Sequence, residues 1–597
     1  MLTTKVMLTG NEAVARGAWE AGVGLGIGYP GTPSTEILEA LSLKDGPEVC
    51  WAVNEKVALE EAYGAAVGGL RAIVTMKHVG LNVAADPLFI TAYLGVNGGL
   101  VIAAADDPGM HSSQNEQDNR WYALHAKVPM LEPADSEECL RFTKLAFELS
   151  ERYDVPILLR LVTRTSHAGG LVLLNEEMKY SRIKRDYVPS PRYVTLPGNS
   201  RARKKVLERN LAAIVEDESV QTLDLMEITS PEVGIITSGA SYNYVKEVFG
   251  DSCSVLKLGL VYPLNVNRIR EFAGMVRELV VVEELDPYLE NNIKAMGIRC
   301  EGKKYITSFY ELNPQIVAAS LANTTLNIPF PSAGSRAEPA APGPLPGVPA
   351  RPALLCAGCP HRGFFYMAKK AKLMMTGDIG CYSLGAMPPL EAFEASICMG
   401  GGYTMAQGLS LTVPEGQKVF GVMGDSTFFH SGITGALEGI YNGRAFVPVV
   451  LDNRITAMTG HQQNPGTGRM MNGAPTLMQE PAVLFKAMGY DPVMQVGAYD
   501  LDAIRSAIQT AKMASGKAAI VVKAPCRLIR GVEGGSRRAV HQNQCQDCRL
   551  CLRLGCPAIS LGEDGKPVID ALSCFGCGIC QQVCRHESIY EVAEVRS

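Results

Sequence analysis

The residues best placed to do chemistry are cysteines: eight of the 17 fall near the end of the chain, in CQDCRLCLRLGCP and CFGCGICQQVC. The first run carries Cys545, Cys548, Cys551 and Cys556, the second Cys574, Cys577, Cys580 and Cys584. In a reducing compartment, thiols at C-x-x-C spacing are ligands rather than disulfide partners. Eight of them in duplicated runs suit iron–sulfur clusters, with a zinc ribbon as the competing reading. Four more, Cys356 and Cys359 in CAGCPHRG, Cys381 in GDIGCYSLG and Cys526 in VVKAPCRL, could close one further cluster; structural thiols or zinc are the alternatives. Cys50, Cys139, Cys253, Cys300 and Cys398 have no partner at ligand spacing and are expected to pack in cores. A second kind of site is suggested by Gly424-Asp425-Ser426 and Asp452-Asn453, polar residues that each end an apolar run. A carboxylate with an amide oxygen suits Mg²⁺, which shares its remaining positions with phosphates; the plain alternative is an ordinary strand-turn-helix.

Such side chains need a scaffold, and the chain supplies one. Over residues 1–190, short apolar runs (LGIGYP, RAIVTM, GLVIAA, VPILLRL) alternate with helix-length segments, the pattern of a parallel sheet covered on both faces. Residues 191–230 are mixed and charged and read as a connector, and 231–325 as a smaller α/β unit. Residues 326–350, rich in Pro, Ala and Gly, read as a linker. From 351 to 535 a third α/β unit places KVFGVMGDS and FVPVVLDNR as buried strands whose polar ends lie where parallel sheets bind ligands. Residues 536–597 form the cysteine-rich module.

A length of 597 residues fits about four domains of roughly 150 residues. The net charge of -5 gives no general case for nucleic acid, and the basic run RARKK (201–205) reads as a solvated helix face. No apolar stretch of membrane-spanning length and no leader-like N-terminus is present, so a cytoplasmic protein that binds no membrane is expected. GVGLGIGYPG lacks the order of a dinucleotide loop and reads as a strand approaching Thr32.

The two cysteine runs resemble bacterial two-cluster ferredoxins, in which the fourth cysteine of each run serves the other cluster. That likeness implies Cys545, Cys548, Cys551 and Cys584 on one 4Fe-4S cluster, with Cys574, Cys577, Cys580 and Cys556 on the second. Two departures stand out: Cys551-x4-Cys556 where three intervening residues are usual, and Arg585 where a proline is expected. DNRITAMTGHQ, GYPGTPSTE, QNEQDNR, CAGCPHRG and GDSTFFHSG resemble segments of the 2-oxoacid:ferredoxin oxidoreductases, and the order of parts resembles the alpha subunits of the indolepyruvate branch over nearly the whole chain.

The resemblance implies transketolase-like, doubly wound thiamine-binding sheets followed by an α+β ferredoxin module. Residues 1–190 become the pyrimidine-binding domain, 231–325 a domain like the C-terminal one of transketolases, and 351–535 the diphosphate domain. It implies thiamine diphosphate and Mg²⁺, with Asp425, Asn453 and the Ile455 carbonyl as metal ligands and Gly424 and Ser426 beside them. Glu55 would hydrogen-bond the aminopyrimidine, Thr32 would meet the substrate carboxylate, and the Cys356/Cys359/Cys381/Cys526 set would hold a third 4Fe-4S cluster. KHVG (77–80) replaces the family's S-G-P-G, and DDPGMHSSQNEQD its substrate-facing loop, which makes His111 and Ser112 candidates. Implied partners are a beta subunit, ferredoxin, coenzyme A and an aryl 2-oxo acid, in a dimer of alpha-beta units. The reaction would be oxidative decarboxylation to an acyl-CoA, CO2 and reduced ferredoxin. A non-aromatic 2-oxo acid, or an electron-transfer subunit with a vestigial thiamine site, is the other reading.

Overall fold

The computed structural model describes residues 3–322 and 353–592 of an α/β chain. The expected linker, 326–350, lies outside the described residues. Contacts gather the chain into two compact units, Met1–Pro346 and Gly347–Ser597.

The first unit is built on a seven-stranded sheet. Its order is Leu260–Tyr262, Met130–Leu131, Ile157–Val162, Leu100–Asp106, Ala72–Lys77, Leu25–Gly28 and Glu48–Trp51, parallel except for the first strand. The central strands are apolar and buried almost throughout, as a sheet covered on both faces requires. Ala58, Leu59, Ala62 and Ala66 of the helix Glu55–Val67 pack on Leu25, Ile27, Val74 and Met76. The helix Ser136–Tyr153 lies against the strands Leu100–Asp106 and Ile157–Val162.

A four-stranded sheet follows, ordered Glu278–Val282, Val233–Ser238, Ser254–Leu258 and Leu225–Glu227, with the last strand antiparallel. Two features differ from the expected division. Residues 191–230 are more than a connector: they form the helix Pro197–Val215, which buries Leu207, Leu211 and Ile214, and the edge strand Leu225–Glu227. Leu260–Tyr262 leaves the smaller unit and completes the first sheet. The basic run lies on Pro197–Val215, but Arg203 turns inward, its Nε donating to the Tyr93 carbonyl at 2.9 Å and a guanidinium nitrogen 2.8 Å from Asp154.

Buried charges cross between the seven-stranded and four-stranded sheets. Arg120 grips Asp118 and reaches Glu283 at 2.7 Å, while Arg160 reaches Asp106 at 2.7 Å and also Glu132, which accepts from Ser238 Oγ at 2.8 Å. Each ion is paired, the condition under which buried charge is tolerated.

The second unit carries a six-stranded parallel sheet: Ala395–Ser396, Met375–Gly377, Val419–Gly424, Phe446–Asp452, Ala519–Lys523 and Val493–Gly497. The cysteine-rich end adds two antiparallel pairs, Arg538–Val540 with Ile589–Glu591 and Ile559–Leu561 with Pro567–Ile569, and the short helix Ile579–Val583. It does not hang free: Leu554, Ile579, Val583 and Ile589 share one buried cluster with Phe364 and Phe365. Arg362, also buried, donates to the Leu554 carbonyl at 2.6 Å. Among the described residues no helix is long and apolar enough to cross a membrane.

Candidate functional site

In the first unit the chemical residues collect at the carboxyl ends of parallel strands, where such sheets bind ligands. Glu55 follows the strand Glu48–Trp51 and opens the helix Glu55–Val67, whose cap Asn54 accepts from the Val57 amide at 2.9 Å. Glu55 is 4% exposed. Gly80 makes room for it, because a Cβ there would stand 2.6 Å from Glu55 Oε1. Thr32 lies half-buried in the loop after Leu25–Gly28; it is not a cap, since Ser34 holds that position before Thr35–Ser42.

Lys77 ends the strand Ala72–Lys77 and rests its stem against Gly31, beside Thr32. Its Nζ donates to the Ser112 carbonyl at 2.9 Å. Burial pulls this lysine below its usual range, opposed by the nearby carboxylates of Asp107 and Glu55. His78, with Asn115 facing it, is held neutral at about 4 by burial and by the adjoining Lys77 charge. Asp107 fastens the facing loop by accepting from the Ser112 amide and Ser113 Oγ, each at 2.7 Å, and from Thr163 Oγ1 at 2.7 Å. His111 lies on that loop, half exposed, with Nε2 3.1 Å from Glu311 Oε2. The sequence registered KHVG only as a departure; a strand-final lysine carries no motif, and its convergence on Glu55 and Asp107 is a product of the sheet.

In the second unit Asp425 follows the strand Val419–Gly424 and Asn453 follows Phe446–Asp452. Asp425, Asn453 and Ile455 are all buried. Turned with its nitrogen inward, the Asn453 amide donates to Asp425 Oδ1 at 2.9 Å and to the Ile455 carbonyl at 2.8 Å; turned the other way, it sets its oxygen against those two. Three oxygens without a hydrogen among them repel, unless the amide turns or a cation sits between. Oxygens on one edge of a Mg²⁺ octahedron, at about 2.0–2.1 Å from the metal, are about 2.9 Å apart. The donor set therefore fits Mg²⁺. Burial, and then the neighbouring Asp452, push the Asp425 carboxyl up to about 7, a cost that a bound cation would relieve. Asn464 Nδ2 donates to its other oxygen at 3.0 Å, and Thr456 Oγ1 donates to Ser426 Oγ at 2.8 Å. Gly424 allows the Tyr382 ring to approach, since a Cβ there would stand 2.8 Å from Cε1.

Tyr382 adjoins Cys381, and the Cys356 and Cys381 thiols lie within electrostatic reach of each other and of both Cys359 and Cys526. The Cys526 amide donates to the Asn453 carbonyl at 2.9 Å, so this set borders the oxygen triad directly. Burial pushes Cys359 up to about 12 and Cys381 up to about 11, values that cationic iron would reverse.

The eight terminal thiols divide between two cavities. One is lined by Cys556, Cys574, Cys577 and Cys580; the other by Cys545, Cys548, Cys551 and Cys584. Each cavity thus takes three thiols from one run and the fourth from the other. Among the described residues no three His, Cys, Asp or Glu side chains close round a single ion. The second run turns through Gly576 and Gly578 at positive φ, and the first through Asp547 and Arg549, at φ 48° and 56°. Of the five cysteines expected in cores, Cys139, Cys253 and Cys300 are buried and Cys50 is partly so, but Cys398 is exposed and packs no core.

Residues 16–221 match the family described as "Pyruvate flavodoxin/ferredoxin oxidoreductase, thiamine diP-bdg", and 378–522 "Thiamine pyrophosphate enzyme, C-terminal TPP binding domain". The chain is 38% identical to "Indolepyruvate oxidoreductase subunit IorA" of Archaeoglobus fulgidus, over 98% of this chain and 97% of that protein. It is 38% identical to the protein of that name from Pyrococcus abyssi, over 99% and 97%. The Methanothermobacter thermautotrophicus protein is likewise 38% identical, over 97% and 96%. With thiamine-binding regions in both units and full-length relatives above a third identity, the chain belongs to the indolepyruvate oxidoreductase IorA family of 2-oxoacid:ferredoxin oxidoreductases.

Proposed function

We propose that this chain is the alpha subunit of an enzyme that oxidatively decarboxylates aryl 2-oxo acids, indolepyruvate and phenylpyruvate among them. Coenzyme A receives the acyl group and ferredoxin the electrons, in a cytoplasmic dimer of alpha-beta units. The observation that carries the reading is the hydrogen bond from Cys526 to Asn453, which joins a Mg²⁺-suited oxygen triad to a four-thiol set.

Thiamine diphosphate supplies the nucleophilic carbon and electron sink that a 2-oxo acid needs to lose CO2. The chain's residues do the rest. Asp425, the Asn453 side chain and the Ile455 carbonyl would hold a Mg²⁺, which would offset the charge of the diphosphate, with Gly424 and Ser426 in the adjoining turn. Glu55, desolvated and fixed by its cap, keeps a carboxyl at the aminopyrimidine and handles its proton. Thr32 and Lys77 receive the substrate carboxylate, and His111 on the facing loop completes the polar lining. Lys77→Met is expected to raise KM for the 2-oxo acid by about 10–100-fold, the cost of one lost hydrogen bond to a charged group. A change in kcat at constant KM would remove Lys77 from this role.

The twelve thiols would hold three four-iron clusters, which would supply one-electron acceptors. Cys356, Cys359, Cys381 and Cys526 would hold the inner one, Cys556, Cys574, Cys577 and Cys580 the middle one, and Cys545, Cys548, Cys551 and Cys584 the outer one. Tyr499 supports this order: its hydroxyl is within electrostatic reach of Cys577, Cys359 and Cys526, and donates to the Gly358 carbonyl at 2.9 Å. Iron and acid-labile sulfide analysis of the anaerobically purified protein tests the count. About twelve irons per chain is the expected value at four per cluster; eight would remove the inner cluster. Reduction of viologen by the alpha-beta enzyme with indolepyruvate and coenzyme A tests the reaction, and preference for pyruvate or 2-oxoglutarate would redirect the substrate assignment.

A further inference from the structure

The second unit bears a solvent-open cleft whose charged lining is Lys369, Lys370, Arg505, Arg553 and Arg585, against Glu391. Lys369 is tied to Glu391 and Arg505 to the exposed Asp502, each at 2.8 Å. Lys370, Arg553 and Arg585 are exposed and form no ion pair among the described residues. Arg553 and Arg585 come from different cysteine runs, yet both act on the Tyr366 hydroxyl, so their charges converge.

The cleft's position is as telling as its sign. Leu550 and Arg553 flank Cys551, Val583 and Arg585 flank Cys584, and both cysteines line the cavity that also holds the exposed Cys548. The cleft is therefore the lip of the outermost thiol set. Both departures from the ferredoxin spacing, the four-residue gap after Cys551 and Arg585 in place of proline, put an arginine on this lip.

We propose that this basic cleft is the docking surface for an acidic one-electron carrier protein, which collects electrons from the Cys545/Cys548/Cys551/Cys584 centre. The proposal rests on the reading that those four thiols hold a cluster. Exposed, unpaired cations around an exit point favour a partner rich in carboxylates, and complementary charge steers association and sets orientation. In each encounter one electron passes from the reduced centre to the carrier, oxidising the first and reducing the second. Two encounters clear the electrons from one 2-oxo acid.

The test compares the assembled two-subunit enzyme with its Arg553→Glu/Arg585→Glu variant, using an acidic two-cluster ferredoxin as ligand. Affinity is read by biolayer interferometry across a salt series, with methyl viologen, a dication, as control acceptor. The expected result is binding weakened about tenfold or more at low salt, with a flatter salt dependence and viologen reduction within about twofold of wild type. Arg585→Gln, which removes charge without reversing it, should fall between. Unchanged affinity and salt slope would overturn the proposal. So would failure of the variant to retain the beta subunit, which would assign the cleft to the subunit interface. Binding is read without turnover, so a wild-type enzyme that binds ferredoxin through these arginines yet oxidises no 2-oxo acid would keep the docking surface and remove the catalytic reading.

Discussion

Glu55→Gln is expected to lower kcat by about 10²–10⁴-fold, the range ascribed to one positioned proton-transfer group, while the protein stays folded. Glutamine fills the same space beside Gly80 and leaves Asn54 as helix cap, so the melting temperature should move little. What is lost is a carboxyl that can give and take a proton in a desolvated setting. The assay is viologen reduction with an arylpyruvate, run beside dithionite titration of the clusters. Slow turnover with full cluster reduction is the expected pair of results. Turnover within about tenfold of wild type would take Glu55 out of the proton-handling role.

Asp425→Asn is expected to have an effect at least as large on activity, but through binding. Removing the one charged member of the oxygen triad should weaken metal affinity beyond the roughly 10–100-fold typical of outer-sphere substitutions. Retention of thiamine diphosphate should then become strictly dependent on high Mg²⁺. The buried carboxylate is also an unfavourable group in the metal-free chain, so Asp425→Asn without cofactors should melt no lower than wild type. Isothermal titration with Mg²⁺ and thiamine diphosphate, together with calorimetry of the metal-free protein, separates the two effects. Unaltered cofactor affinity would take Asp425 out of the metal site.

Much of the site could be read from the sequence because its signals are local. Asp425 and Asn453 end apolar runs, Glu55 opens a helix after an asparagine cap, and the thiols keep a fixed spacing. What escaped depends on three-dimensional pairing. Met130–Leu131 and Ala395–Ser396 are two-residue strands, too short to show a period. Leu260–Tyr262 gives no sign within its own segment that it will join the distant first sheet. The helix Pro197–Val215 hid behind its charge, although Leu207, Leu211 and Ile214 repeat at helical spacing; Arg203 turned inward because Asp154 and the Tyr93 carbonyl await it. Lys77 and Arg585 looked like exceptions to a pattern until their neighbours were in place.

The two turns of the cysteine-rich end differ in one respect with a bearing on assembly. Gly576 and Gly578 adopt positive φ at no steric cost, so the turn from Cys574 to Cys580 stores no backbone strain. Asp547 and Arg549 hold the matching conformations as non-glycine residues, which costs free energy that the bare loop does not recover. If both thiol sets take clusters as proposed, the expected order of loading is the glycine-turned loop first, with the Cys545 loop closing as its own cluster binds.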